Sequence, residues 1–479
     1  MLAEYNLQGK DGEEIKLLTY DSREVTQGTL FICKGAAFKA EYLKNSMNQG
    51  AVCYVSEKKY ELEKEVPYIL VKGIRDAMAV LANFFYNKPW EDLAVIGFGG
   101  TKGKSTSTYY MKAVVDDYLA AQDKPESAVI STIDIYDGKS KVESHITTPE
   151  AVELQMHLRN ALDCNIEYAE MEISSQALKY GRVDEMQFDV SVFLNISEDH
   201  ISPIEHPDFE DYFQSKMKMF EKSKIAVVNL DADYIDQILE ASKAAGEVVT
   251  FSTKNPEADY YAYNIHKEGK DIHFSVKCEA FDEEFVLTMP GFFNVENALG
   301  VVAASVKLGI PTEYIHSGLR RARSSGRMEF YHSKDHEVMA IVDYAHNKLS
   351  FEKLFSAMKE EFPDYGLVAI FGCPGKKSLL RRKYLGTIAG QYSKMVYLVA
   401  EDPGYEPVED ISKEIAQYVE AQKCPYKMIE DRGEAIKDAI ETAEGKTLLL
   451  VTGKGAETRQ KYGCEYLDCP SDVEYVQRY

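Results

Sequence analysis

LAVIGFGGTKGKSTSTYYMKAVVDDYLAA, residues 93–121, joins an apolar run to a glycine-rich turn and a helical pattern. Leu93–Ile96 is short and apolar, as a buried parallel strand requires. Gly97, Gly99, Gly100 and Gly103 follow. Lys104-Ser105 then opens a segment in which Met111, Val114, Val115, Tyr118 and Leu119 recur on one helical face. Strand, glycine loop, Lys-Ser and helix is the order that cradles phosphates. Backbone N–H groups converge on the oxygens and the helix N-terminus adds positive potential, while Lys104 reaches the terminal phosphates and the Ser105 hydroxyl ligates Mg²⁺. The generic spacing asks for Gly where Phe98 stands, with glycines to either side. A tight strand-to-helix turn with surface lysines is the plainer account of the same residues; the strand before and the helix after favour nucleotide binding.

At 479 residues the chain exceeds one core, so roughly two to four domains are expected. Its composition, 45% apolar and 28% charged, is that of an ordinary soluble protein. No apolar run approaches the ~20 residues of a membrane span, and the start, MLAEYNLQGKDGEE, lacks a basic-then-apolar targeting pattern. A cytoplasmic protein without membrane insertion is expected. The formal net charge of −23 argues against nucleic acid as a partner, because such binding rests on Lys and Arg. Anionic small molecules then require local positive charge. Lys102/Lys104, Arg320/Arg321/Arg323/Arg327 and Lys376/Lys377 with Arg381/Arg382/Lys383 supply it. Each run also fits a solvated helix face, but two of the three stand beside Gly turns. The eight cysteines form no Cys-x-x-Cys and read as reduced core residues; His332 and His336 read as surface residues of a turn rather than a metal site.

Residues 1–90 read as a small α/β unit with strand-like runs at Thr29–Cys33, Ala51–Val55 and Pro67–Val71, and with a hydrogen-bonding turn at Asp21-Ser22-Arg23. Lys88-Pro89-Trp90 marks its end. Residues 91–323 alternate strand runs (Ser127–Ile133, Tyr168–Ile173) with helices such as Glu150–Ala161, which gives βαβ units and a mainly parallel sheet. Strand-end loops carry hydroxyls and acids: Thr147-Thr148-Pro149, Glu170–Ser175 and Ser197–His200. Glu172 is the candidate Mg²⁺ ligand; His200 fits either a metal site or a structural role, since Mg²⁺ prefers oxygen. Phe209–Ser223 reads as a helix whose Lys216, Lys218 and Lys222 all face solvent. Ala258–Met289 alternates as antiparallel strands, and Asn294 and Asn297 open the next helix as base-reading amides or as caps. In residues 324–479, runs at Val338–Val342, Leu367–Phe371, Met395–Val399 and Leu448–Val451 each end in Gly, Pro or charge, as in an open parallel sheet with ligand loops at one edge.

GTKGKST (100–106), EISSQAL (172–178), DYFQSK (211–216), GRME (326–329), DYAH (343–346) and GKGAET (453–458), in this order and spacing, resemble the Mur ligases and within them the MurE type. The resemblance runs from about Tyr20 to near the C-terminus. It implies an α/β protein of three domains: a UDP-substrate-binding unit at 1–90, a central P-loop ATP-binding sheet at 91–323, and a Rossmann-like domain at 324–479 that binds the incoming amino acid. It assigns ATP to Gly100, Thr101, Lys102, Gly103, Lys104, Ser105, Thr106, Asn297, Asp343 and His346. Mg²⁺ falls to Ser105, Glu172, His200 and a CO₂-derived carbamate on Lys216. The catalytic set is Lys104, Glu172, His200 and Lys216. UDP-N-acetylmuramoyl-L-alanyl-D-glutamate falls to Ser22, Thr147, Thr148, Ser174 and Arg182. The implied reaction phosphorylates the D-Glu γ-carboxylate from ATP, and an amine then displaces phosphate from the acyl phosphate.

The amine is read from Glu401-Asp402-Pro403-Gly404. Diaminopimelate-adding relatives carry Arg where Gly404 stands. Acids here suit the distal ammonium of L-lysine, with Arg382, Gly453 and Glu457 at the amino-acid end. Glu401, Gly404 and Ala456 depart from the usual patterns, so ornithine and meso-diaminopimelate stay open. A folylpolyglutamate-synthase-type ligase and a non-catalytic nucleotide-binding protein are the other readings. The segment before the phosphate loop speaks against the first, and intact Lys104, Ser105, Glu172, His200 and Lys216 against the second. A monomer is expected.

Overall fold

The computed structural model describes residues 2–6, 14–35, 38–62, 65–144, 146–198, 201–202, 205–334, 337–376 and 379–479, with the backbone alone for 2–6. Among these, β1 (Leu2–Asn6), β2 (Leu17–Thr19), β3 (Thr29–Ile32), β4 (Ala51–Ser56) and β5 (Tyr68–Val71) form a sheet in the order β1-β5-β4-β3-β2. Helices α1 (Ala40–Gln49) and α2 (Ile74–Phe85) lie in its connections. The three expected strands are present. β1 and β2 are additional; three residues of β2 are too few for a period to register.

The quoted stretch folds as β6 (Ala94–Gly99) and α3 (Lys104–Ala120). After it come β7 (Ala128–Ile130), β8 (Asp134–Tyr136), β9 (Lys141–Glu143), α4 (Ala151–Asp163), β10 (Tyr168–Glu172), α5 (Ser175–Lys179) and β11 (Phe188–Phe193). Next are α6 (Phe209–Met217), β12 (Ser223–Asn229), α7 (Ile235–Ser242), β13 (Glu247–Ser252), β14 (Tyr260–Glu268), β15 (Asp271–Lys277) and β16 (Asp282–Leu287). Their sheet runs β16-β15-β14-β13-β12-β11-β6-β10-β7-β8-β9. β6 pairs in parallel with β10 and β11, and Val95, Ile96 and Phe98 are buried on its two faces, as an inner parallel strand demands. The chain leaves β6 for β7 on one side and later reaches β11 on the other. Loops therefore diverge at the C-terminal end of β6 and open the crevice where such sheets bind ligands. The strand expected at 127–133 stops at Ile130, because the chain turns back antiparallel into β8 and β9. The alternating stretch after Ala258 forms the antiparallel edge β14-β15-β16. Helices α8 (Phe293–Lys307) and α9 (Thr312–Arg321) cover α3, so closely that a Cβ on Gly318 would strike the Val114 backbone. The first sheet shares its core with the central one: Leu18, Ile32, Val55 and Met78 cluster with Ala151 and Val152 of α4.

The third sheet is built from β17 (Glu329–His332), β18 (Val338–Asp343), α10 (Lys348–Glu361), β19 (Gly366–Phe371), α11 (Leu380–Tyr392), β20 (Met395–Leu398), α12 (Val408–Glu420), β21 (Tyr426–Met428), α13 (Arg432–Glu441) and β22 (Thr447–Thr452). Its order is β17-β18-β22-β19-β20-β21, parallel except for β17. A hairpin, β23 (Arg459–Tyr462) and β24 (Glu465–Asp468), and α14 (Asp472–Arg478) complete the chain. No helix among the described residues is long and apolar enough to cross a membrane.

A buried ion pair pins this last segment to the strand ends. Arg432 donates to both carboxylate oxygens of Asp472 (2.8 and 2.6 Å) and to the carbonyl of Thr452 (2.8 Å), while Gly455 N–H donates to Asp472 (3.2 Å). Asp472→Ala leaves the guanidinium buried and uncompensated. A loss of about 3–5 kcal/mol is expected, read from the urea unfolding midpoint; an unchanged midpoint would contradict it.

Candidate active site

The phosphate loop is shaped by glycines and braced from behind. Gly100 (φ +139°) and Gly103 (φ +85°) take left-handed backbone, and a Cβ on Gly103 would collide with the Asn297 side chain of α8. Asn195, just after β11, clamps the loop from the other side. Its Oδ1 accepts Lys102 N–H (2.9 Å), its Nδ2 donates to the Lys102 carbonyl (3.0 Å), and its own carbonyl accepts Thr101 N–H (3.0 Å). Lys104 Nζ donates to the carbonyls of Gly100 (3.0 Å) and Thr101 (3.1 Å).

Lys216 does not face solvent as the helical pattern suggests. It is 3% exposed, its Nζ donates to the Gly100 carbonyl (2.7 Å) and it lies over the Tyr212 ring (4.9 Å). Asp208 caps α6, and the face carrying Tyr212, Lys216 and Met217 turns inward, with Tyr212 OH hydrogen-bonded to Thr101 Oγ1 (2.9 Å); Lys218 remains in solvent.

A cavity of about 240 Å³ opens over the loop, lined on the central side by residues 101–106 with Thr132, Thr147, Glu172, Asn195 and Asn297. Arg327, Asp343, Tyr344, His346 and Lys353 face them from the third sheet. Arg327 bridges the gap, donating to Ser105 Oγ (3.0 Å) while stacking on Tyr344 (4.2 Å to the centroid). Asp343 accepts Met328 N–H (3.0 Å) and Ala345 N–H (2.8 Å); burial raises its carboxyl pKa against the pull of Arg327. Glu172 accepts Thr132 N–H (2.7 Å) at the cavity wall. Two residues earlier on the same strand face, Glu170 is fully buried, and that burial pushes it up to about 8, so it is a neutral core acid. His200 lies outside the described residues, and among those described no group of three or more His, Cys, Asp or Glu could hold a metal. The Ser105 hydroxyl and Glu172 carboxylate, two hard oxygen donors on one cavity, fit Mg²⁺ that takes its other ligands from phosphates and water.

The hydroxyls expected at strand ends do assemble beside Glu172. Thr148 Oγ1 donates to the Glu172 carbonyl (2.8 Å) and accepts Ser174 N–H (3.1 Å), and Thr132 Oγ1 donates to Thr147 Oγ1 (3.2 Å). Ser174 caps α5 through Ala177 N–H. Arg182 donates to the Thr148 carbonyl (3.0 Å) and pairs with Glu150 (2.9 Å), which also takes Lys34 (2.9 Å) and Arg75 (3.6 Å) from the first sheet's unit. Ser22 lies apart, in the turn after β2 where Asp21 accepts Arg23 N–H, and borders neither this cavity nor the next.

A second cavity, about 400 Å³, lies at the strand ends of the third sheet, bordered by Lys376, Arg381, Glu401, Asp402, Gly404, Tyr405, Gly453, Lys454 and Glu457, with Glu205 from the central segment. Its acids differ. Asp402 and Glu457 share Lys454 (3.1 and 2.6 Å), and Glu457 also accepts from Tyr344 OH (2.6 Å). Glu401 is buried against Gly372 and Gly453, where a Cβ on either would strike its side chain. Burial pushes it up to about 7, and its Oε2 has no hydrogen-bond partner. Arg382 is not at this cavity. It is 2% exposed and held by Glu406 (2.9 and 2.8 Å) and Glu414 (2.5 Å), so of these two neighbouring arginines it is Arg381 that lines the wall. Adjacent residues of α11 point about 100° apart, which sends one guanidinium toward α12 and the other toward the loops. Pro403 packs its carbonyl on Gly375 without lining the cavity. Asn195, Arg327, Arg381 and Lys454 carry no assigned role in the motif reading. A polar residue directly after the apolar run of β11 was the available signal for Asn195.

Asn195→Ala removes both side-chain bonds that shape the loop. About tenfold or more weaker binding of a non-hydrolysable ATP analogue is expected by calorimetry, and native affinity would show that the loop holds its form without the amide.

Residues 99–305 match the Mur ligase middle domain and residues 326–455 the Mur ligase glutamate ligase domain. An Enterococcus faecalis relative named UDP-N-acetylmuramoyl-L-alanyl-D-glutamate–L-lysine ligase is 38% identical over 456 residues, covering 94% of this chain and 88% of the relative. A Streptococcus pyogenes relative of the same name is 37% identical over 481 residues, covering 99% and 94%. Among solved structures, a UDP-N-acetylmuramoyl-L-alanyl-D-glutamate–2,6-diaminopimelate ligase shares the fold at TM-score 0.65 and 24% identity over 96% of this chain and 93% of that one. A Mycobacterium tuberculosis folylpolyglutamate synthase does so at TM-score 0.62 and 15% identity over 79% and 92%. With both family domains matched in chain order, and relatives above 30% identity across nearly its whole length, the chain belongs to the Mur ligase family.

Proposed function

We propose that this chain joins L-lysine to the D-Glu γ-carboxylate of UDP-N-acetylmuramoyl-L-alanyl-D-glutamate with ATP, forming ADP and phosphate, as a cytoplasmic monomer in peptidoglycan precursor synthesis. One observation carries the reading: the cavity over the phosphate loop and the cavity beside Glu401 meet at Tyr344 and His346. An acid activated in the first is thereby delivered to an amine held in the second. The printed names of the Enterococcus and Streptococcus relatives supply the substrates. On this reading residues 1–90 hold the UDP end, 91–323 the triphosphate and 324–479 the amino acid.

Backbone N–H groups of residues 101–106 and Lys104 would grip the β- and γ-phosphates, with Asn297 and Asp343 toward the nucleoside. Thr147, Thr148, Ser174 and Arg182 would hold the dipeptide so that its γ-carboxylate faces the γ-phosphate. Mg²⁺ on Ser105 and Glu172, with His200 assigned by family resemblance, would supply positive charge to the phosphate oxygens. Lys216 lies behind the loop, where reaction with CO₂ would turn its amine into a carboxylate-like ligand. Arg381, in place of Arg382, would take the α-carboxylate of the amino acid, and Glu401 its distal ammonium, since Asp402 and Glu457 already share Lys454. The far carboxylate of meso-diaminopimelate would meet Glu401 and Asp402 with no cation at Gly404, which opposes it.

Two outcomes are expected. With the dipeptide nucleotide and ATP, lysine should support ADP release far better than meso-diaminopimelate or ornithine; equal rates would defeat the assignment. Burial, with Asp402 beside it, holds Glu401 near pKa 7, above an ordinary carboxyl, against the pull of Arg381, Arg432 and Lys454, and it binds an ammonium only when ionised. Its ionised fraction grows about tenfold from about pH 6 to about pH 8, so KM for lysine should fall by a similar factor, and Glu401→Gln should abolish that slope.

A further inference from the structure

Amide formation requires the acyl phosphate, made on the phosphate-loop side, to meet an amine that has lost a proton. Among the described residues, Tyr344 and His346 alone border both cavities. Tyr344 donates its hydroxyl to Glu457 (2.6 Å), and burial holds its phenol well above the ordinary range, so it accepts no proton at neutral pH. His346 differs. Its Nδ1 lies 2.7 Å from the Tyr344 carbonyl, which can only accept, so in the neutral ring the proton resides on Nδ1 and the lone pair on Nε2. The ring stands edge-on to Tyr344 (4.9 Å between centroids, 79°), and its backbone N–H donates to Ser350 Oγ (3.2 Å) at the start of α10. Tautomer and loop position are both held.

We propose that His346 is the general base that deprotonates the α-ammonium of the incoming amino acid, a role that rests on the acyl-phosphate reading above. One proton passes from the ammonium to Nε2. The freed nitrogen lone pair forms the bond to the acyl carbon, and the C–O bond to phosphate breaks with its electron pair going to the phosphate oxygen. Phosphate takes the second amine proton and leaves as hydrogen phosphate, and the imidazolium returns its proton to water. Glu205 and Glu457 on the same cavity offset the transient positive charge, and the bond from Nδ1 to the Tyr344 carbonyl persists in both protonation states.

Hydroxylamine is the discriminating nucleophile, because it is largely unprotonated at neutral pH and needs no base. The full chain and its His346→Gln variant are supplied with ATP, Mg²⁺ and the dipeptide nucleotide, and lysine-dependent ADP release and hydroxamate formation are followed separately. The variant should lose about 10²–10⁴-fold in kcat with lysine and keep hydroxamate formation within about threefold of native. Equal losses with both nucleophiles would overturn the proposal by placing His346 with the nucleotide, and so would undiminished lysine turnover. A native chain that yields neither product would defeat the acyl-phosphate reading itself.

Discussion

Arg327 is the contact on which the catalytic crevice depends. Its guanidinium leaves the start of the third sheet, bonds the hydroxyl of Ser105 on the phosphate loop and stacks on Tyr344, so two separately built sheets present one continuous wall. A second link lies at the edge, where Glu143 of β9 accepts from Thr458 Oγ1 (2.9 Å) and pairs with Arg459 (3.7 Å). A chain with net charge −23 repels a triphosphate at long range, and the crevice answers by collecting Lys102, Lys104, Arg327 and Lys353 around one small volume. Because part of that charge comes from the third sheet, the anion site is complete only when the sheets are together.

The neighbouring cavity applies the opposite device. Asp402 and Glu457 share Lys454 there, and Glu406 holds Arg382 just outside, whereas Glu401 keeps an oxygen without a hydrogen bond. Burial holds that carboxyl above the ordinary range, while the nearby cations Arg381, Arg432 and Lys454 pull the other way. Gly372 and Gly453 make room for that side chain, which gives the strand-end glycines a physical purpose beyond turning the chain. On the opposite flank, Glu150 gathers Lys34, Arg75 and Arg182, so the first sheet's unit is tied electrostatically to the threonines beside Glu172.

Much of the fold was legible residue by residue. The apolar run, glycines and helical period of 93–121 place β6, the loop and α3, and the four strand ends of the last third name the loops that line the second cavity. Legibility failed where elements are short or where a face is chosen by a distant partner. β2, β8 and β9 are three residues each. Lys216 looks like any solvated helix lysine until its face is seen against Gly100, and Arg381 and Arg382 are indistinguishable until α12 claims one of them.

From its sequence alone, the strand, glycine turn and helix of 93–121 and the longer strands and helices of the chain were determined, because backbone hydrogen bonding, glycine freedom and apolar periodicity act between near neighbours. Tertiary structure alone decided which residues meet. Asn195 braces a loop 93 residues away, Lys216 bonds a carbonyl 116 residues away, and Arg327 reaches a hydroxyl 222 residues away. Such contacts arise from the packing of whole sheets, and no local pattern encodes the direction in which a side chain will find its partner.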